Sequence, residues 1–267
     1  MTGAYAAVLD TAAAAARAAA AVHRAHLGLT TVEDWTVKGT ADFVTHVDQE
    51  AEAAIVDRVL SRHRGHAIMA EEGELVGALD DEWLWIVDPL DGTTNFLHGY
   101  PMFGVSIAVL HRGELAAAFV LGTPTGEEWS AVRGEGTRLD GRPVRVSRIR
   151  ELRQSLIGTG FPFRSLDTIS AYQREFEAVV RLTSGLRRAG SAALDLCHVA
   201  TGYFDGFWEH SLAPWDYAAG VLLVREAGGV VTRMDGTPID PLVAGSVLAG
   251  NPEIHADLEQ VLRAAQV

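Results

Sequence analysis

The sequence predicts a mixed α/β fold of the α+β kind, and three observations carry that prediction. Residues 5–27 and 49–63 have helical composition and apolar spacing. Residues 102–147 alternate short apolar stretches with Gly- and Pro-bearing turns, the pattern of an antiparallel meander. From residue 154 onward, strands run into Gly-marked turns and then into helices. At 267 residues and 48% hydrophobic, the chain is long enough for a sizeable core. No repeat or low-complexity linker marks a boundary within it.

The elements follow in order. Residues 5–27 are Ala-rich, with Val8, Val22 and Leu27 among the apolar contacts, and Gly28 ends the run. Asp10 and Arg17 interrupt the segment and no basic stretch precedes it. A packing helix is expected there, not a signal peptide or a membrane span. Phe43 to Val47 reads as extended, and 49–63 as a helix with Ala53, Ile55, Val56, Val59 and Leu60 as its apolar set. Asp48 stands at that junction as N-cap, or as the fourth residue of a capping box begun by Thr45. Residues 67–72 form a short strand running into Glu71, Glu72 and Gly73.

Trp83 to Val87 carries no charge and reads as a strand buried on both faces. Pro89 is expected to stop its ladder, and Gly92 to permit a turn that other residues resist. Met102–Leu110, Glu114–Leu121, Trp129–Val132 and Arg142–Ser147 are expected as strands of a scaffold. Gln154 to Phe163 is a strand entering a Gly-rich turn. It lacks both the Gly-Lys-Ser/Thr of a P-loop and the spaced third Gly of a dinucleotide loop. A helix over about 168–183 follows, then a strand from Gly185 that turns at Gly190 into a helix. Gly206–His210 is a strand, Pro214 to Ala227 a helix, 246–249 the last strand and 252–265 a closing helix.

The chemistry concentrates where the buried strand ends. Asp88 and Asp91 sit three residues apart, and Thr93, Thr94 and Asn95 follow with amides and hydroxyls placed to meet an anion. Hard Mg²⁺ is usually held by one or two carboxylates plus phosphate oxygens, so a cation between the two groups makes sense of both. D-P-x-D-G is also an ordinary turn sequence; the buried strand, the two acids and T-T-N together favour function. Glu71 and Glu72 lie 17 and 16 residues before Asp88, close enough for adjacent strands to bring them together. Gly190-Ser191-Ala192 can present a hydroxyl and amides at a helix start, or Ser191 can simply cap it. Asp216 reads equally as a helix cap. Lys38 is the only Lys among 22 basic residues, either kept where a compact ammonium is wanted or placed by chance at the surface.

Composition narrows the partners. A formal charge of −13 argues against nucleic acid as the main ligand but leaves open a small phosphate bound through metal. A single cysteine, Cys197, rules out an internal disulfide and fits a reducing compartment, so a soluble cytoplasmic protein is expected.

With these residues in view, the chain resembles the inositol monophosphatase family of Mg²⁺-dependent sugar phosphatases. The family signature, a strand followed by D-P-[IL]-D-G-T-x-N-[FY], fits Asp88 to Phe96 at every position. Glu71-Glu72, Gly190 to Ala192 and Trp215-Asp216 match separate segments. The stretches G-T-G-F-P-F-R, R-x-G-S-A-A-L-D and V-R-E-A-G-G look most like the bacterial members. The likeness runs from Lys38 to Asn251.

The resemblance implies the layered αβαβα sandwich shared with fructose-1,6-bisphosphatase-like enzymes. It implies a six-stranded antiparallel sheet in the N-terminal part, residues 1–150, which carries most metal ligands. A five-stranded sheet follows in the C-terminal part, residues 151–267, with the substrate pocket and one ligand. The two form one compact catalytic unit, usually in a homodimer. It implies that Glu71, Asp88 and the Leu90 carbonyl hold one Mg²⁺, that Asp88, Asp91 and Asp216 hold a second, and that Asp48 touches a weakly held third. Asp48 would also hydrogen-bond Thr93, and Thr93 and Glu71 would take the proton of the attacking water. Gly92, Thr93, Thr94, Arg187, Gly190, Ser191 and Ala192 would bind substrate, with Glu209 on inositol hydroxyls.

The expected activity is hydrolysis of inositol monophosphate by direct water attack, sensitive to Li⁺. Fructose 1,6-bisphosphate, histidinol phosphate and a nucleotide 3′-phosphate are alternative substrates. A non-catalytic metal- or phosphate-binding regulator is the alternative class.

Overall fold

The structure is a computed structural model that describes residues 2–29, 36–39, 42–163 and 166–266. Helix α1 (Thr2–His26) buries a face of small residues: Ala12, Ala15, Ala16, Ala19 and Ala20 are inaccessible to solvent. By length and composition Gly3–His26 could cross a membrane. Here its alanines lie in one apolar cluster with Ile55 and Val59 of α2 (His46–Arg62) and with sheet residues Trp85, Val87 and Ile107, which is the packing role expected of it.

A short antiparallel pair, β1 (Thr36–Gly39) and β2 (Asp42–Val44), lies between the two helices in sequence. Thr40, Ala41 and the side chain of Lys38 lie outside the described residues. Helix α2 begins at His46, earlier than the apolar spacing suggested, because Thr45 and Asp48 form a reciprocal capping box at its start. The strand itself covers Asp42–Val44, and Thr45, still extended, is the N-cap of α2.

The first large sheet runs in sequence order through β3 (Ala67–Ala70), β4 (Trp83–Asp91), β5 (Gly104–His111), β6 (Glu114–Gly122), β7 (Glu128–Val132), β8 (Gly136–Leu139) and β9 (Arg142–Val144). It differs from the six antiparallel strands implied by the resemblance. Seven described strands pair, and β3 runs parallel to β4 because the loop between them crosses back before β4 starts. A one-turn helix α3 (Thr93–Leu97) sits between β4 and β5.

The second large sheet has five described strands, as implied. They are β10 (Leu156–Thr159), β11 (Gly185–Arg187), β12 (Gly206–Leu212), β13 (Val230–Thr232) and β14 (Gly245–Gly250), ordered β11-β10-β12-β14-β13. Helices α4 (Ile169–Val180), α5 (Ala192–Thr201), α6 (Pro214–Glu226) and α7 (Pro252–Ala265) complete the chain.

Strand alternation decides the layering. Trp85 and Val87 face the α1/α2 cluster, whereas Leu84 and Ile86 join α5 and α6. On the second sheet Phe207, Val247 and Ala249 point to the same α5/α6 layer, and Trp208 and Leu248 point away to α4 and α7. The order is therefore helices, sheet, helices, sheet, helices: the αβαβα sandwich expected. Helix α6 can lie close on α5 because position 220 is Gly; a Cβ there would stand 2.5 Å from Leu196.

His23 of α1 is fully buried, its Nδ1 3.0 Å from Thr123 Oγ1, and burial pushes its imidazole down to about 4. The unfolded chain titrates near ~6.5. Stability from the neutral ring is therefore complete above ~6.5 and is lost as pH falls toward the folded value. Urea unfolding of wild type and His23→Gln across pH 7 to 4 should show a difference that shrinks by about 2–3 kcal/mol toward the acid end. A difference that does not change with pH contradicts the assignment.

Candidate active site

Two residues decide where the central acids point. Asp88 pairs with Ser106 and Asp91 with Gly104, so Pro89 and Leu90 together oppose the single residue Val105. This is a β-bulge, a position where a strand tolerates proline. Pro89 thus does not end β4 as expected; the strand runs through it to Asp91. In a regular strand, residues three apart face opposite ways. The extra residue restores the phase, so Asp88 and Asp91 share one face while Leu90 packs into the opposite cluster with Val47, Phe96 and Phe103. On the shared face Ser106 Oγ donates to the Trp215 carbonyl, drawing the start of α6 and its Asp216 toward the acids.

Three acids, Asp91, Asp216 and Asp48, are held at helix starts. Asp91 Oδ2 accepts the Ser191 hydroxyl at 2.5 Å and the Ala193 amide at 2.8 Å, at the N-terminus of α5. Ser191 is also the N-cap of α5, as the capping reading of it expected. Asp216 is the third residue of α6 and not its N-cap; its Oδ2 accepts the amide of Ala213, which occupies the cap position. Asp48 Oδ2 accepts the amide and hydroxyl of Thr45, and Asp48 Oδ1 accepts the Thr93 hydroxyl at 3.1 Å. Capping and contact with Thr93 are thus two faces of one carboxylate. Gly92 turns the chain into α3 at φ +91°, and a Cβ there would lie 2.8 Å from the Met102 carbonyl.

These residues line one cavity of about 260 Å³. Its wall holds Glu71, Asp88, Leu90, Asp91 and Asp216 beside Gly92, Thr93 and Thr94. It also holds Gly190, Ser191 and Ala192 at the start of α5, and Glu209 of β12. Asp48 is buried behind Thr93. Arg187 does not line the cavity. Its neighbour Arg188 does, because consecutive side chains of an extended segment point opposite ways. Arg188 lies 5.1 and 5.2 Å from the ring centres of Phe161 and Phe163, which also line the mouth. Arg164 of the G-T-G-F-P-F-R stretch lies outside the described residues.

The donor set suits a hard divalent cation. Asp88 is 1% exposed. Burial first, then Glu71, Asp91 and Asp216, push its carboxyl well above the ordinary aspartate range. A buried carboxylate among three others needs a compensating positive charge, and oxygen ligands of this kind select Mg²⁺-like ions. Among the described residues no three His, Cys, Asp or Glu side chains already stand in metal-holding geometry.

Two further polar side chains on this site have roles that the sequence reading did not give them: Asn95, read there as facing an anion, and Asp195, which it did not single out. Asn95 Nδ2 reaches the carbonyls of Met102 (2.5 Å), Ala189 (2.9 Å) and Gly190 (3.2 Å), fastening the first half of the chain to the second at the cavity edge. Asp195 lines the cavity from α5. The available signal was an acid within the otherwise apolar run Ala192 to Val199.

Comparison with known proteins places this architecture. The sequence model described as "Inositol monophosphatase family" matches residues 4–266. The chain is 47% identical over 218 residues to "Nus factor SuhB" of Pseudomonas aeruginosa, covering 80% of each. It is 44% identical over 228 residues to "Inositol-1-monophosphatase" of Rhizobium meliloti, covering 85% of each. The solved inositol monophosphatase of Anabaena superposes with a TM-score of 0.87 at 40% identity, over 96% of this chain and 95% of that one.

Asn95→Ala should lower stability by about 1–3 kcal/mol, since it leaves part-buried carbonyls of both halves without a donor. The midpoint of urea unfolding measures this. An unchanged midpoint means water replaces the amide without cost.

Proposed function

The chain belongs to the inositol monophosphatase family, and from that premise we propose a Mg²⁺-dependent phosphomonoesterase that hydrolyses inositol monophosphate to inositol and phosphate. The observation that carries this reading is the convergence of Glu71, Asp88, Asp91 and Asp216 on one cavity beside the Gly92–Thr94 turn. Glu71, Asp88 and the Leu90 carbonyl would hold one cation, and Asp88, Asp91 and Asp216 a second, Asp88 serving both. Two bound Mg²⁺ would supply charge stabilisation to the attacking and departing oxygens of an in-line displacement.

The chain's own groups do the rest. Gly92, Thr93 and Thr94 offer amides and hydroxyls to the phosphate at the start of α3. The Thr93 hydroxyl points its proton at Asp48 Oδ1 and the Leu90 carbonyl, which leaves its lone pairs for the attacking water. Burial raises the Asp48 carboxyl above the ordinary range and makes it the better proton acceptor behind Thr93. Glu71 is the second candidate for that proton. Gly190, Ser191, Ala192 and Glu209 face the alcohol half. Position 160 must be Gly for Glu209 to sit there, since a Cβ would fall 2.0 Å from the Glu209 carboxylate. Residues 1–150 and 151–267 act as halves of one catalytic unit, and a cytoplasmic homodimer inhibited by Li⁺ belongs to the same reading.

A second reading, a binding protein without turnover, is favoured by the name of the Pseudomonas aeruginosa relative, "Nus factor SuhB". Phosphate release separates the two. The wild type should release phosphate from inositol 1-phosphate only with added Mg²⁺. Asp88→Asn should lower kcat/KM by at least ~10²-fold with an unchanged circular dichroism spectrum, the scale of several kcal/mol of lost charge stabilisation. No release by the wild type from any ester of a panel containing fructose 1,6-bisphosphate, histidinol phosphate and a nucleotide 3′-phosphate would favour the second reading.

Glu209→Ala should weaken hydrolysis of inositol 1-phosphate more than that of phenyl phosphate, because the second ester has no polyol to contact. Comparison of kcat/KM for the two esters decides; equal losses would make Glu209 structural.

A further inference from the structure

Asp195 has no part in the chemistry above, yet it lines the same cavity. It stands in the first turn of α5, 1% exposed, with Oδ1 buried and without a hydrogen-bond partner among the described residues. An acid at a helix start is ordinarily explained by the amides and the dipole there. Here the amides are engaged elsewhere: that of Ala193 on Asp91, and that of Leu194 on the Ser191 hydroxyl. Leaving a buried acceptor unpaired costs about 1–3 kcal/mol. Costs of that kind persist where a ligand completes the site.

The surroundings of Asp195 say which ligand. Burial, then Glu209 and Asp91, push its carboxyl up, and Arg188 opposes them. Asp91 is also an electrostatic neighbour of Asp88. It therefore links two acidic groups electrostatically: Asp88 with its neighbours Glu71 and Asp216, and Asp195 with its neighbour Glu209. With the phosphate of an ester at the first group, its alcohol half meets the second. The Asp195 carboxylate, whose Oδ1 has no partner among the described residues, calls for a hydrogen-bond donor there.

We propose that Asp195 is a specificity-determining residue, whose cavity-lining carboxylate accepts a hydrogen bond from a second substrate hydroxyl, beside the one taken by Glu209. It selects phosphate esters of polyols with neighbouring hydroxyls over simple esters. This inference rests on the phosphomonoesterase reading and deepens it.

The test compares wild type, Asp195→Leu and Asp195→Asn by kcat/KM on myo-inositol 1-phosphate and phenyl phosphate. It adds the melting temperature, alone and with myo-inositol plus inorganic phosphate. Asp195→Leu should lose at least about 10-fold more on the inositol ester than on phenyl phosphate, the scale of one buried hydrogen bond. Asp195→Asn, which keeps an acceptor oxygen, should recover most of that loss. Asp195→Leu should melt at or above the wild-type temperature, since the unpaired acceptor is gone, and should lose the shift that the polyol gives.

Equal losses on both esters, or a lower melting temperature with both activities reduced, would make Asp195 structural and overturn the proposal. If the wild type hydrolyses neither ester, the phosphatase reading fails and the polyol-induced shift alone judges Asp195. A shift in wild type that Asp195→Leu abolishes supports the role, and no shift in wild type overturns it.

Discussion

The bulge at Pro89 and Leu90 is the constraint on which the site depends. Without the extra residue, a strand would send Asp88 and Asp91 to opposite faces of the sheet, one into the α1/α2 layer and one toward α5 and α6. With it, both carboxylates face the α5/α6 layer, and Leu90 becomes the residue that packs the other way. Proline suits this position because the bulge takes it out of the regular ladder. The same local irregularity that reads in sequence as a strand stop is, in the folded chain, what aligns the acids.

The second consequence is that helix starts do the holding. The N-terminus of α5 meets Asp91, the capping box of α2 contains Asp48, and Asp216 in the first turn of α6 takes the amide of Ala213. Amides at a helix start stabilise carboxylates and fix their orientation without the entropy cost of a flexible cationic partner. For Asp48 one oxygen takes the cap bonds and the other meets Thr93. Three helix starts thus hold three carboxylates around the end of one strand, in a chain that already carries a charge of −13.

That assembly opposes stability. Asp88 and Asp195 are buried, and surrounding acids add to the cost of ionising them. The compensation lies in the three apolar clusters that fill the spaces between the five layers, from the alanine face of α1 to the Trp208–Leu248 side of the second sheet. A site that is unfavourable by itself is carried by a core that is not.

The sequence alone determined the helices, most strand positions, the Asp88–Phe96 signature and the acids that accompany it. These are written in local periodicity, turn residues and short spacings. It also told that Glu71 and Asp88 would be neighbours, since the short segment between them leaves two adjacent strands little choice. Other features were decided only by the tertiary structure. The strand continues through Pro89 because β5 supplies a partner on the far side of the bulge. Arg188 rather than Arg187 reaches the cavity because the phase of that segment is set by pairing with β10. Asn95 ties the halves together because Ala189 and Gly190, almost a hundred residues away, present their carbonyls to it. Asp195 looked like one polar residue in an apolar helix. Its isolation became visible only when α5 was packed between two sheets, because burial and the lack of a partner are properties of what surrounds a side chain and are not encoded at any single position.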